Sequence, residues 1–186
     1  MRIGVFCSAN SGLDASFYEA ADLFGQGLGQ RRWELIYGGA TVGLMGRFAD
    51  SALKHGAAAR GALTASLAVT QEMPHKGLTE LVIVDDLFDR KRWMNDRSDA
   101  FAIFPGGLGT LDEALEVITW KSLGYHEKPI IFVNLGGFWH SQLEAFRDLA
   151  SRGVIRPGGL DLYQVVNDVE GLWAILDDHQ KSSVRR

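Results

Sequence analysis

Short, almost wholly apolar runs alternate with stretches of helical spacing along the whole chain. Residues 2–7, 34–37, 81–84, 101–104 and 130–133 are such runs, with a further one at 58–63 and a short one near Val165. A strand apolar at nearly every position is buried on both faces, which is the condition of a parallel sheet covered by helices. Between the runs, residues 15–31 carry Phe17, Ala20, Ala21, Phe24 and Leu28 on one helical face. Residues 43–55, 86–98, 111–123, 139–151 and 170–179 are likewise predicted as helices. Strand and helix in strict alternation predict an α/β protein. The expected fold is a Rossmann-like doubly wound, mostly parallel sheet flanked by helices on both faces. Residues 1–180 form a single nucleotide-binding domain in this reading, and 181–186 a frayed tail.

Composition narrows the classes. The 186 residues carry a net charge of -4, which argues against general nucleic-acid binding. Glycine is abundant (22) and proline scarce (4), which points to several glycine loops in an ordered chain. A single cysteine, Cys7, leaves no disulfide framework and fits a reducing, cytoplasmic compartment. No run is long enough for a membrane helix, and the N-terminus reads as a first strand, not a signal segment.

The chemistry concentrates at strand ends. In residues 101–116 an apolar run stops at Pro105, Gly106, Gly107, Leu108 and Gly109 form a turn, and Thr110 opens a helix bearing Asp112, Glu113 and Glu116. Strand, glycine loop and helix N-terminus together suit phosphate, because the loop lets backbone N–H groups approach an anion that the helix dipole favours. Glycine turns and acidic first turns also occur without any ligand. Three other strand ends carry small or polar residues: 7–12 with Ser8, 38–46 with Gly38 and Gly39, and 85–91 with Asp89, Arg90 and Lys91. All open on one edge of a parallel sheet. Neither glycine stretch is G-x-G-x-x-G or G-x-x-x-x-G-K-[ST], so no dinucleotide or P-loop site is indicated. Arg90 suits bidentate contact with phosphate, whereas Arg92 and Arg97 read as a solvated helix face. Glu113 and Glu116 share a helix face that Thr119 continues. The five histidines show no metal-ligand spacing, Ser8 lacks a nucleophile elbow, and no cofactor is called for. The tryptophans read as packing residues in the main, with Trp93 or Trp120 as alternatives for a base pocket.

At these motifs the chain resembles the LOG ("Lonely Guy") family of nucleoside 5'-monophosphate phosphoribohydrolases. The family's P-G-G-x-G-T-x-x-E is intact at 105–113, and its Y-G-G-G-x-x-G-L-M-G is matched at 37–46 with Ala40 for the third glycine. Its S-D-A-F is 98–101, its E-V-I-T-W-x-x-L-G-x-H run is 116–126, and its M-H-x-R-K segment aligns with 87–91. The resemblance implies a homodimer with active sites at the interface, acting on an AMP-type nucleotide. The implied reaction is hydrolysis of the N-glycosidic bond of an N6-substituted adenosine monophosphate. It places the catalytic pair on Arg90 and Glu113, and substrate contacts on Glu72, Lys91, Gly107 to Thr110 and Thr119. Leu87 and Phe88 replace the usual Met-His, Asp112 a usual Glu, and the stretch before Glu72 lacks a usual proline. These departures bear on base selectivity. Two other classes stay open: a nucleotide sensor or carrier, and a phosphotransferase.

Overall fold

The computed structural model describes residues 1–70 and 73–184, and Glu72 lies outside them. Seven strands form one sheet among the described residues: β1 (Arg2–Phe6), β2 (Glu34–Tyr37), β3 (Ala59–Thr64), β4 (Glu80–Val84), β5 (Ala100–Ile103), β6 (Ile130–Val133) and β7 (Gln164–Val166). Their order is β4-β3-β2-β1-β5-β6-β7, and every pairing is parallel. The helices are α1 (Ala15–Arg31), α2 (Gly43–Lys54), α3 (Ala65–Thr70), α4 (Leu87–Arg97), α5 (Leu108–Ser122), α6 (His140–Ser151) and α7 (Val169–Val184). The doubly wound α/β fold is the one the apolar pattern implies.

The continuous apolar runs are explained by two cores. Side chains alternate across a strand. Ile3, Val5, Ala100, Ala102, Ile131 and Val133 therefore join one core with α1, α2 and α7. Phe6, Phe101, Ile103, Ile130 and Phe132 join the other with α4, α5 and α6. Aromatic pairs lock each face. Phe24 stacks on Trp173 at 4.8 Å and meets Phe104 edge-on at 5.4 Å, while Phe6 stacks on Phe101 at 5.5 Å across β1 and β5. Trp33, Trp93, Trp139 and Trp173 are buried, in keeping with the packing reading.

Three expectations about elements change. The helix after the glycine loop begins at Leu108, not Thr110, because Gly107 is already the N-cap. The last helix continues past His179 to Val184, so residues 181–184, expected as a tail, are helical. The six-residue α3 has too few residues to show a period and was not foreseen.

His126 closes the turn between α5 and β6. Its Nε2 lies 3.0 Å from the Val117 carbonyl oxygen and donates to it, and its Nδ1 accepts the Lys128 amide at 3.2 Å. Acceptance at Nδ1 requires the neutral ring. Burial, with the nearby Lys128 charge, lowers its pKa below the ordinary histidine value. The unfolded chain therefore takes up the proton first. Stability is complete above the unfolded pKa and falls as pH drops through the folded one. Thermal melts at pH 7.5 and 5.5 should show a larger loss for the parent than for His126→Gln, whose amide donates and accepts without titrating.

Candidate active site

Strand order reverses between β1 and β5, and the crevice there lies at the carboxyl edge of the sheet, where doubly wound folds bind ligands. A cleft of about 290 Å³ occupies it. The loop after β1 contributes Ser8 and Asn10, α2 contributes Met45, α4 contributes Leu87, Arg90 and Lys91, and α5 contributes Gly107 to Thr110 with Asp112 and Glu113.

Backbone hydrogen bonds hold the two central loops together. The Ser8 amide donates to the Pro105 carbonyl at 3.0 Å, and the Leu44 amide donates to the Ser8 carbonyl at 3.1 Å. The Ser8 hydroxyl accepts the Asn10 amide at 3.0 Å. The floor of the cleft is thus tied to β5 and to the start of α2.

The start of α5 differs from those of α1 and α4. Asp14 caps α1 by accepting the Ser16 amide, and Asp86 caps α4 by accepting the Asp89 amide at 2.8 Å. Gly107 caps α5 with no side-chain bond. The first amides of a helix have no intrahelical partner, and the residues that carry them in α5 line the cleft. The loop leaves them room: a side chain at Gly107 or Gly109 would meet nothing within 4 Å. Gly106 is different, because a Cβ there would lie 2.0 Å from Thr110 Oγ1 and 2.6 Å from its Cβ, and Thr110 is buried.

Arg90 is buried, and the sheet holds its guanidinium. Nε donates to the Ala62 carbonyl at 3.0 Å and Nη2 to the Gly38 carbonyl at 2.7 Å. Lys91, the next residue, turns to α5. Its Nζ lies 3.0 Å from Asp112 Oδ2 and also pairs with Glu116. Burial lowers the Lys91 pKa, but pairing with Glu116 and Asp112 outweighs burial and leaves it raised.

Of the residues singled out in the sequence, Ser8, Arg90, Lys91, Gly107, Leu108, Gly109, Thr110 and Glu113 meet in this cleft, with Gly106 packed behind it. Gly38 and Gly39 do not line it. A Cβ at Gly38 would strike Arg90 Nη2 at 2.2 Å, and Gly39, at φ +80°, packs on Ala62. Thr119 lies outside too, with its hydroxyl donating to the Leu115 carbonyl at 2.7 Å beside a groove between α5 and α6. Met45 and Asn10 line the cleft although the sequence reading assigned them no role; their place in strand-end segments was the available signal. Among the described residues no group of three or more His, Cys, Asp or Glu is arranged to hold a metal ion.

An open, parallel, doubly wound sheet with its cleft at the strand-order switch defines a Rossmann-like α/β protein. The family model described as "Possible lysine decarboxylase" matches residues 45–176, and the chain belongs to that family, which includes the LOG proteins. The chain is 37% identical to the cytokinin riboside 5'-monophosphate phosphoribohydrolase of Rhodococcoides fascians over 94% of its own length and 88% of the relative's. It is 43% identical to a probable enzyme of the same name, LOGL1, from Oryza sativa subsp. japonica (83% and 69%). It is 40% identical to LOG7 of Arabidopsis thaliana (84% and 71%). Among solved structures, the Moco carrier protein of Chlamydomonas reinhardtii superposes with a TM-score of 0.73 at 18% identity, covering 97% of this chain and 98% of that one. The molybdenum cofactor binding protein of Rippkaea orientalis superposes at 0.68 and 20% identity, covering 95% of each. At such identities these two share the fold alone.

The Gly106 geometry gives a prediction. Gly106→Ala forces the loop off the buried Thr110 and should cost about 1–3 kcal/mol, as overpacking does. Gly107→Ala meets open space at a negative φ of -99°, with only its ψ of -149° outside the broad β region, and should cost clearly less than Gly106→Ala. Denaturant melts of the two variants make the comparison.

Proposed function

We propose that this protein hydrolyses the N-glycosidic bond of adenosine 5'-monophosphate nucleotides, N6-substituted ones included, to the free base and ribose 5-phosphate. One observation carries the reading: the uncapped start of α5 shares a cleft with Glu113 and Arg90. The names of the curated relatives agree with it. The 5'-phosphate sits on the amides of residues 107–110. That contact fixes the ribose relative to Glu113, one turn into the helix. As the base leaves, positive charge builds on the ribose ring. The Glu113 carboxylate stabilises that charge or takes the proton of the attacking water. Arg90, held rigidly by two carbonyls, meets the anionic substrate or orients Glu113. Positioning of this kind supplies up to roughly 7–11 kcal/mol in the best cases.

The family's decarboxylase description implies a pyridoxal cofactor, and the residues present do not fit one. A Schiff-base lysine must lose its proton, whereas Lys91, the lysine lining the cleft among the described residues, is kept protonated by Asp112 and Glu116. The carrier reading rests on fold likeness alone.

We also infer a homodimer acting in the cytoplasm. Leu108, Leu115 and Leu123 are exposed along α5, and beyond the cleft a groove of about 450 Å³ continues the apolar surface through Leu149 and Val154. Surface of this kind marks association. Among the described residues no helix is long and apolar enough to cross a membrane.

Base release from AMP, N6-isopentenyl-AMP and adenosine tests the reaction. Both nucleotides should be cleaved and adenosine should be a poor substrate; equal kcat/KM for adenosine and AMP would remove the phosphate from the mechanism. Glu113→Gln should lower kcat by about 100-fold or more with folding retained. Near-parental turnover by a folded Glu113→Gln protein rules out the carboxylate's role. Light scattering at assay concentration should give the mass of a dimer, and an active monomer would refute that assembly.

A further inference from the structure

Arg90 and Lys91 are neighbours on α4 that face opposite ways. Arg90 reaches into the sheet, to the carbonyls of Ala62 and Gly38. Lys91 reaches to α5, where it meets Asp112 and Glu116, the residues before and one turn after Glu113. The Lys91 and Glu116 side chains are only 14% and 20% exposed, against 63% for Asp112, so the Glu116 arm is shielded from water. A shielded pair is weakened little by salt, and removal of one partner leaves the other charge stranded. One positive charge already serves two carboxylates. A phosphate arriving at the same ammonium would compete with both carboxylates for its three donors.

We propose that Lys91, Asp112 and Glu116 form a clamp that sets α5, and with it Glu113, against Arg90, and that Lys91 is a positioning residue and not a phosphate ligand. The proposal rests on the hydrolase reading above. Phosphate then depends on the α5 amides and Arg90, and loss of the clamp harms turnover more than binding.

The test uses the full chain and the variants Lys91→Gln, Lys91→Arg, Asp112→Asn/Glu116→Gln and the combination of Lys91→Gln with that pair. The readouts are kcat and KM with AMP and the Kd of ribose 5-phosphate by calorimetry. Lys91→Gln and the carboxylate pair should each lower kcat about 10-fold, as a small misplacement of the reacting groups does. KM and Kd should stay within about 3-fold of the parent. The combined variant should be no worse than either, because all remove one unit, and Lys91→Arg should recover most of the rate. A Kd weakened about 10-fold or more by Lys91→Gln would overturn the proposal, since that is the loss of a phosphate ligand. So would a Kd tightened by the carboxylate pair, which releases Lys91 to the ligand. So would an unchanged kcat in both. If Lys91→Gln fails to fold, the carboxylate pair and Lys91→Arg supply the same comparison. A parent protein without turnover would overturn the hydrolase reading instead, and the Kd series would still judge the clamp.

Discussion

The reversal of strand order at β1 is the constraint on which the rest depends. β1 pairs with β2 on one side and β5 on the other, and the chain leaves these two central strands in opposite directions. The loops after β1 and β5 part at the carboxyl edge and leave a crevice between them. The chain can reach β5 only by returning from β4 at the sheet edge across β3, β2 and β1. That return is α4. It carries Arg90 over the ends of β2 and β3 and Lys91 to the side of α5. One crossover therefore places a fixed cation in the crevice and couples the two helices that border it.

Glycines at this edge serve two different purposes. Gly38, Gly39, Gly61 and Gly106 make room for protein: a Cβ at Gly61 would lie 2.4 Å from the Gly39 Cα, and one at Gly38 would collide with Arg90. Gly107 and Gly109 have open space beside them. Gly38, Gly39 and Gly61 let β2, β3 and α4 approach closely enough for Arg90 to reach two carbonyls, and Gly106 lets its loop close on Thr110. Gly107 and Gly109 leave the α5 amides uncovered. The chain caps α1 and α4 with aspartate but leaves α5, like α2 and α6, without a side-chain cap; of these, the first residues of α5 line the cleft, where the proposed phosphate would meet their amides.

Most of the architecture was legible in the residues because parallel strands buried on both faces produce unbroken apolar runs. The runs at 101–104 and 130–133 fall on β5 and β6 within a residue. Element ends were less legible. With Gly107 as its N-cap, α5 begins at Leu108, two residues before Thr110, and the six residues of α3 are too short for periodicity to show. Within the cleft, Ser8, Arg90 and Glu113 were visible as strand-end or helix-start residues. Gly38 and Gly39 were read as ligand-facing because composition does not separate a glycine that admits a ligand from one that admits a neighbouring side chain. The pairing of Lys91 with Asp112 and Glu116 spans more than twenty residues and exists only after α4 and α5 pack on the same face of the sheet.

The charge balance of the cleft follows from these placements. The chain is acidic overall, and Asp112, Glu113 and Glu116 stand beside the very loop proposed to hold a phosphate. Lys91 is already neutralised by two of them, so it adds little field at a distance. Such a site does not draw anions from far away, since exposed charges are screened within about 8 Å at physiological salt. What attraction it offers is short in range and fixed in direction, from helix amides and a guanidinium pinned by two carbonyls. Recognition by directed donors suits one phosphate at one position on a small molecule, and not a polyanion. The same acidity serves the proposed chemistry. A carboxylate standing beside the ribose is in place to meet the positive charge that the proposed reaction builds there.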